Sequence, residues 1–295
     1  MSDKKKKWSA SKVTTFNSCK LKYLYTYINK WKSDIKVNTA LADKGSAFHN
    51  TVEHYFTGED KQEFKKRLQE NIEKFHVNTT DPEKEYYFDY TKPTTRFFLF
   101  WDKFVAAKEK EGYKIGQEET LNGELNGEPF IGYIDLLIEG EDDLIIYDYK
   151  TAASGSASSY KDQLILYAYL IAMRKGWKQE DISKKIKLNI FFPFYKVQKQ
   201  NLSEEDDMLS CVKELKYTQE DVDKVIQMYK SSINEEKITD WENVNIEFLG
   251  NVNYYDHCQY CPYLGSIPNE DGFQGCPASC KSGYAQPRNV NFIRP

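Results

Sequence analysis

The chain has 295 residues, 40% of them hydrophobic and 15% aromatic, which is enough apolar side chain to bury a full core and too much for a disordered chain. Its formal net charge of −4 excludes a protein that coats nucleic acid with an overall basic surface, so contact with a polyanion requires a local groove. No apolar run approaches the roughly 20 residues that span a bilayer, and the lysine-rich N-terminus has no signal-peptide core, which predicts a soluble, cytoplasmic protein.

From Ser9 to Ile28 the apolar positions Val13, Phe16, Leu21, Leu24, Tyr25 and Ile28 recur at helical spacing, with Ser9 or Ser11 as N-cap. Further helices are predicted over Asp43–Phe56, Lys61–His76 and Thr94–Glu111, the last beginning beside Pro93. The pattern then turns to strands, Lys114–Leu121, Phe130–Ile138 and Leu144–Lys150, separated by turns rich in Asn, Gly, Glu and Asp. A Gly/Ser/Ala loop over 152–158 leads into a helix, Tyr160–Lys175. Ile186–Phe194 is predicted as a strand, Leu209–Tyr217 as an edge strand and Gln219–Glu236 as a helix. There is no internal repeat. The order predicts an α/β fold with a mixed central sheet flanked by helices. A helical N-terminal part (1–113), a βββαβ core (114–217) and a C-terminal helix with a Cys-rich tail (218–295) are integrated in one domain.

Strand side chains alternate faces, so Asp148 and Lys150 project to the same side and set an acid beside an amine. A hairpin closing symmetrically at Glu141-Asp142 sets Asp135 opposite Asp148, with Cβ atoms roughly 4.5 to 5.5 Å apart. Two like charges so placed on an apolar strand pair repel. A divalent cation offsets that repulsion, and oxygen ligands suit Mg²⁺ or Mn²⁺. Such an ion polarises a phosphate and acidifies bound water, while Lys150 positions that water or neutralises developing charge. A lone D-x-K is more often a solvated strand-end pair, so the surrounding pattern must decide.

That pattern resembles the RecB-like branch of the PD-(D/E)XK nucleases. The matching residues are Gly132-Tyr-Ile-Asp135, Asp148-Tyr-Lys-Thr151 and Gln163-Leu-Ile-Leu-Tyr167. Upstream, Lys44-Gly-Ser-Ala-Phe-His49 matches the family's G-x-x-x-H element, and Ser9 to Cys19 its opening helix. The resemblance implies a restriction-endonuclease-like fold in which His49, Asp135, Asp148 and the Tyr149 carbonyl hold the metal. Lys150 would be the catalytic lysine, with Gln163 and Tyr167, four apart on one helix face, contacting DNA or the attacking water. Glu118 or Glu119 on the first strand could add a carboxylate. His54 and His76 have no such context and are expected to be ordinary packed or surface residues.

Six cysteines are present, Cys19, Cys211, Cys258, Cys261, Cys276 and Cys280, and four crowd the C-terminus, a clustering that suggests metal binding before disulfides. Four local thiolates, or three with His257, would permit structural zinc. The resemblance implies instead a 4Fe-4S cluster on Cys19, Cys258, Cys261 and one of Cys276 or Cys280, with Cys276 favoured. Fourteen residues separate Cys261 from Cys276, a longer spacing than the family's. Cys211, in an apparent strand, is expected to be a small buried residue.

The implied function is Mg²⁺- or Mn²⁺-dependent hydrolysis of DNA phosphodiesters, as an exonuclease on single-stranded ends in repair, recombination or CRISPR or phage DNA processing. There is no P-loop of the G-x4-G-K-[ST] form, so a helicase or recombination partner would be another chain. The competing reading is a non-catalytic DNA-binding or assembly module on a nuclease-like scaffold, for which clustered carboxylates have no use.

Overall fold

The computed structural model describes residues 7–33, 39–153 and 156–245, together with Leu249, Cys261, Tyr263, Cys276 and the backbone of Phe292 and Ile293. Contacts divide the chain into two compact units. One gathers the described residues of Met1–Asn38, Leu125–Glu128 and Gln227–Pro295, and the other Thr39–Glu124 and Pro129–Ile226.

In the first unit, Ser9 caps α1 (Ala10–Ser18), its Oγ accepting from the Lys12 N–H at 3.2 Å. The single helix expected to reach Ile28 breaks at Cys19, which is extended at φ −159° and ψ 103°. Cys19 Sγ then accepts from the Lys22 N–H at 3.4 Å, so the cysteine ends one helix and caps the next, α2 (Lys20–Tyr23). A wide π turn over Leu24–Ile28 follows, and then β1 (Lys32–Ser33), which pairs antiparallel with the distant β7 (Phe292–Ile293).

The second unit opens with α3 (Ala40–Val52) and α4 (Lys61–Lys74), the latter capped by Asp60, which accepts from the Gln62 N–H at 3.0 Å. Next comes α5 (Thr91–Phe100), which a π turn over Trp101–Val105 joins to α6 (Ala106–Lys110). This helix begins a turn earlier than predicted, because Pro93 falls within the first turn, where a missing N–H costs nothing. The sheet strands are β2 (Lys114–Leu125), β3 (Glu128–Glu139), β4 (Leu144–Tyr149), β5 (Ile186–Phe191) and β6 (Val212–Leu215), in spatial order β2-β3-β4-β5-β6. Asn126 and Gly127, both at positive φ, make the tight turn from β2 to β3.

β3 and β4 pair antiparallel from Glu139↔Leu144 to Leu136↔Tyr147, the register of the hairpin centred on Glu141-Asp142. β4 pairs parallel with β5, and the connection runs through a 3₁₀ turn over Ala157–Tyr160, α7 (Lys161–Arg174) and α8 (Ile182–Lys185). β5 stops short of the predicted Phe194 because Pro193 cannot donate to the ladder. The predicted strand from Leu209 is confined to β6, at the sheet edge, because Leu209 is the last residue of a helix, α9 (Glu204–Leu209), and Ser210 its C-cap. Ser203 caps α9, and four acidic residues in its first turn complement the helix dipole. Cys211, just before β6, is fully buried. The last helix, α10, spans Gln219–Ile238.

Helices cover both faces of this mixed sheet. On one face Phe48, Phe64, Phe97, Phe100 and Trp101 from α3 to α5 and the turn after it pack against Leu136, Ile138, Tyr147 and Tyr149. On the other face α7 approaches so closely that a Cβ on Gly123 would come 2.8 Å from Leu170. β4 is therefore buried along its whole length, which makes an aspartate at position 148 costly there. Arg96 of α5 ties the chain after β5 to this layer by a two-point pair with Asp207 at 2.6 and 2.9 Å and bonds to the Pro193 and Tyr195 carbonyls. Among the described residues, no helix is long and apolar enough to cross a membrane.

Candidate active site

Two reversals of strand phase in the second unit create the site. In β2, Ile115 packs with the aromatic layer of α3 to α5, whereas Gly123 faces α7. Both are odd-numbered, so strict alternation could not send them to opposite faces. The phase slips at Glu118, whose φ of +44° lies in the left-handed region that non-glycine residues seldom occupy, as in a bulge. β3 slips as well. Gly132 faces α7, with room for no side chain because a Cβ would lie 2.6 Å from Tyr167 Cε1, yet Leu136 joins the aromatic layer. Asp135 lies within that second reversal.

Helix α3 brings the third group. Gly45 and His49 are four apart and share a face. A Cβ on Gly45 would meet Thr151 Oγ1 at 3.3 Å, so the glycine lets α3 lie close to the segment after β4. Lys44 Nζ donates to the Thr151 carbonyl at 2.5 Å, and Tyr90 Oη donates to the Lys44 carbonyl at 3.1 Å, fixing the helix there. His49 Nδ1 then stands 3.6 Å from Asp135 Oδ1. One potential ligand atom from each of His49, Glu118 and Asp135 lies within 4.8 Å of the other two. Ligands on an ion with bonds of about 2.1 Å span up to roughly 4.2 Å, so small side-chain adjustments would close this set on a cation.

The remaining predicted residues surround this set. Asp135 Oδ2 accepts from the Tyr149 N–H at 2.5 Å, so Tyr149 meets the site through its backbone while its ring is buried in the aromatic layer. Asp148 Oδ2 forms an ion pair with Lys150 Nζ at 2.5 Å, but the buried oxygen finds no hydrogen bond of good angle. Lys150 also lies 5.0 Å from the centre of the Tyr160 ring. Gln163 Nε2 donates to Tyr167 Oη at 3.1 Å, and that hydroxyl takes a further hydrogen bond from the Tyr133 backbone. Asp148 is not one of the three residues whose ligand atoms converge within 4.8 Å.

Sequence reasoning could not choose between Glu118 and Glu119, and the geometry separates them. Glu118 joins His49 and Asp135, whereas Glu119 folds back over Gly116, where an added Cβ would lie 2.8 Å from its Cγ and Oε1. Alternation gives no phase across a slip, so the strand pattern carried no signal for this choice. Lys44 was visible in the sequence only as a neighbour of Gly45, with nothing to reveal its contact with Thr151. His54 is exposed near Glu53, and His76 follows α4 at positive φ.

Burial raises the Glu118 carboxyl to about 7, helped by the charges of Asp135 and Glu53 and opposed by His49. Asp148 is raised to about 6, again by burial first, with Lys150 opposing and Asp135 adding. Burial also pushes Asp135 upward, but its hydrogen bond and charge interaction with His49, together with Lys150 and the Tyr149 N–H, bring it below the ordinary value. His49 and Lys150 are both held above their ordinary values despite burial, His49 by Asp135 and Lys150 chiefly by Asp148. Three carboxylates thus share one ammonium and one imidazole.

In the first unit, Cys19 belongs to a buried cluster with Leu21, Tyr25 and Tyr263, against which Cys261 and Cys276 pack. Burial raises the Cys261 thiol to about 11. Cys258, Cys280 and His257 lie outside the described residues.

The profile of the PD-(D/E)XK nuclease superfamily matches residues 7–266. Among solved structures, a protein from Eubacterium rectale named provisionally as an exonuclease is 13% identical. That match covers 78% of this chain and 79% of the other, with a TM-score of 0.43. A protein named SSO0001 is 12% identical, with 76% of this chain and 95% of the other covered and a TM-score of 0.31. No curated protein matches significantly. At such scores the two structural similarities add nothing to the family match.

The raised carboxyls make a prediction for the metal-free protein. A group that holds its proton more tightly when folded contributes stability below its unfolded value, and that contribution fades as the pH rises through the folded value. For Glu118 this window runs from 4.5 to about 7, and for Asp148 from 3.8 to about 6. In EDTA the melting temperature should therefore fall by several degrees between about pH 5 and about pH 8, more than in Glu118→Gln. Added Mg²⁺ or Mn²⁺ should recover the loss at the higher pH. An identical pH dependence in wild type and Glu118→Gln would contradict the electrostatic description.

Proposed function

This chain belongs to the PD-(D/E)XK nuclease superfamily, and on that premise we propose that it is a Mg²⁺- or Mn²⁺-dependent deoxyribonuclease that trims single-stranded DNA from its ends. The observation that carries the reading is the convergence of His49, Glu118 and Asp135 beside the Asp148–Lys150 pair. One imidazole with carboxylate oxygens is a donor set suited to Mn²⁺ and Mg²⁺. Asp148, whose buried Oδ2 is paired with Lys150, and the Tyr149 carbonyl would complete the set.

A cation held there would supply Lewis acidity toward a phosphate oxygen and lower the pKa of bound water. The protein's own groups do the rest. Lys150, kept protonated by Asp148, directs its ammonium at the water or at charge developing on the phosphate. Asp135 is anchored by the Tyr149 N–H, so its ligand oxygen is pre-positioned. Gln163 and Tyr167, bonded to each other and through the Tyr167 hydroxyl to the Tyr133 backbone, would contact DNA or the attacking water from α7. Repair, recombination and CRISPR or phage DNA processing are the settings that such an activity fits, with any unwinding supplied by a separate helicase chain.

The same reading assigns a 4Fe-4S cluster to Cys19, Cys258, Cys261 and Cys276. It is supported by the packing of Cys19, Cys261 and Cys276 around Tyr25 and Tyr263. Protein purified without oxygen should be brown with about four irons per chain. Cys19→Ala should bleach it and lower its stability, whereas a local zinc site on the C-terminal cysteines would keep its metal in that variant.

Asp148→Ala and Lys150→Ala should each lower Mn²⁺-dependent cleavage of labelled linear DNA by about a hundredfold or more, with folding retained. His49→Ala should lose activity at low Mn²⁺ and recover part of it at high Mn²⁺, since one ligand of several is gone. Normal cleavage by Lys150→Ala would remove the active-site assignment and cleavage that persists in EDTA the metal dependence, whereas a wild type that binds DNA but does not cut it in Mn²⁺ would favour the non-catalytic scaffold.

A further inference from the structure

Large apolar side chains exposed singly are common on protein surfaces, so exposure alone carries no information. Tyr133 is distinguished by where it stands. It lies mid-strand in β3 between the buried Gly132 and Ile134, yet its side chain is 55% exposed. Gly132 faces α7, so alternation turns Tyr133 to the opposite side, toward the face on which Asp135 meets His49 two residues later. Two strand residues cover about 7 Å, the separation along β3 of Tyr133 from Asp135. Its backbone is held by the Tyr167 hydroxyl, which Gln163 also bonds at 3.1 Å, so the ring projects from a fixed point.

A second exposed aromatic is tied through the backbone to the strand that carries Glu118. Phe56 is 61% exposed, and it follows Tyr55, whose carbonyl accepts a hydrogen bond from Gln117, the neighbour of Glu118. Exposed aromatic rings next in sequence to the segments that carry a carboxylate cluster suit a substrate that is charged at one point and flat and apolar beside it. A nucleotide has this character.

We propose that Tyr133 is a stacking platform for an unpaired base next to the scissile phosphate, with Phe56 supporting a second base. The site would thereby favour single-stranded over duplex DNA. This rests on the nuclease reading above. Every base offers a π face, so stacking gives affinity without sequence preference, whereas a base within a duplex is already stacked on its neighbours.

The test uses the full chain in EDTA, where metal-dependent cleavage is blocked, titrated against a single-stranded oligonucleotide carrying 2-aminopurine and against the matching duplex. Wild type should quench the fluorophore in the single strand. Tyr133→Ala should weaken single-strand binding about fivefold or more and lose the quenching, with duplex binding and melting temperature unchanged. Tyr133→Trp should restore both, and Phe56→Ala should give a loss in the same direction. The platform is overturned if Tyr133→Ala binds the single strand as wild type does, or if it weakens single strand and duplex equally. Cleavage by wild type in Mn²⁺, measured in parallel, separates the two readings. Cleavage with normal binding by Tyr133→Ala overturns the platform alone, and ring-dependent binding without cleavage supports the platform while overturning the nuclease reading.

Discussion

Glu118, Asp135 and Asp148 are gathered where burial penalises their charge, and much of the second unit is arranged around that cost. At an effective dielectric of about 20, two carboxylates about 5 Å apart repel by about 3 kcal/mol, a large fraction of the stability of a typical domain. Lys150 and His49 compensate in part, each held more basic than usual by the acids it faces. With Glu118 ionised the three acids exceed the two bases by one negative charge, an excess that its raised carboxyl relieves only by holding a proton. A divalent cation would remove that excess, and the imidazole and carboxylate oxygens are already within 4.8 Å of one another.

The sheet makes this concentration possible by departing from regularity at two adjacent places. A left-handed Glu118 in β2 and the phase change around Asp135 in β3 turn both carboxylates toward α3. Two glycines make room: Gly132 lets Tyr167 press against β3, and Gly45 lets α3 lie against Thr151. The aromatic layer of Phe48, Phe97, Phe100 and Tyr149 backs the strand ends from behind. A rigid apolar support of this kind holds polar groups in positions they would not choose for themselves.

Much of this was legible in the sequence, because period and turn chemistry are local. The βββαβ order follows from the periods and the turns between them, the shared direction of Asp148 and Lys150 from alternation, and the β3–β4 register from a hairpin centred on Glu141-Asp142, although its ladder ends at Leu136↔Tyr147, one pair short of the expected Asp135 opposite Asp148. What depends on a break in period was not legible. Glu118 could not be told from Glu119 across a strand slip, and the helix break at Cys19 was hidden because the apolar spacing continues through it. The short helix α9 was missed because its acidic first turn resembles a loop until Ser203 is recognised as its cap. The contact of Lys44 with Thr151 spans more than a hundred residues, and no local pattern encodes it.

The most direct test of the central claim is anomalous diffraction at the manganese edge from crystals of the full chain soaked in Mn²⁺. A single strong peak within about 2.2 Å of His49, Glu118 and Asp135 ligand atoms is the predicted result. Manganese bound elsewhere, with these three side chains left unliganded, would contradict it.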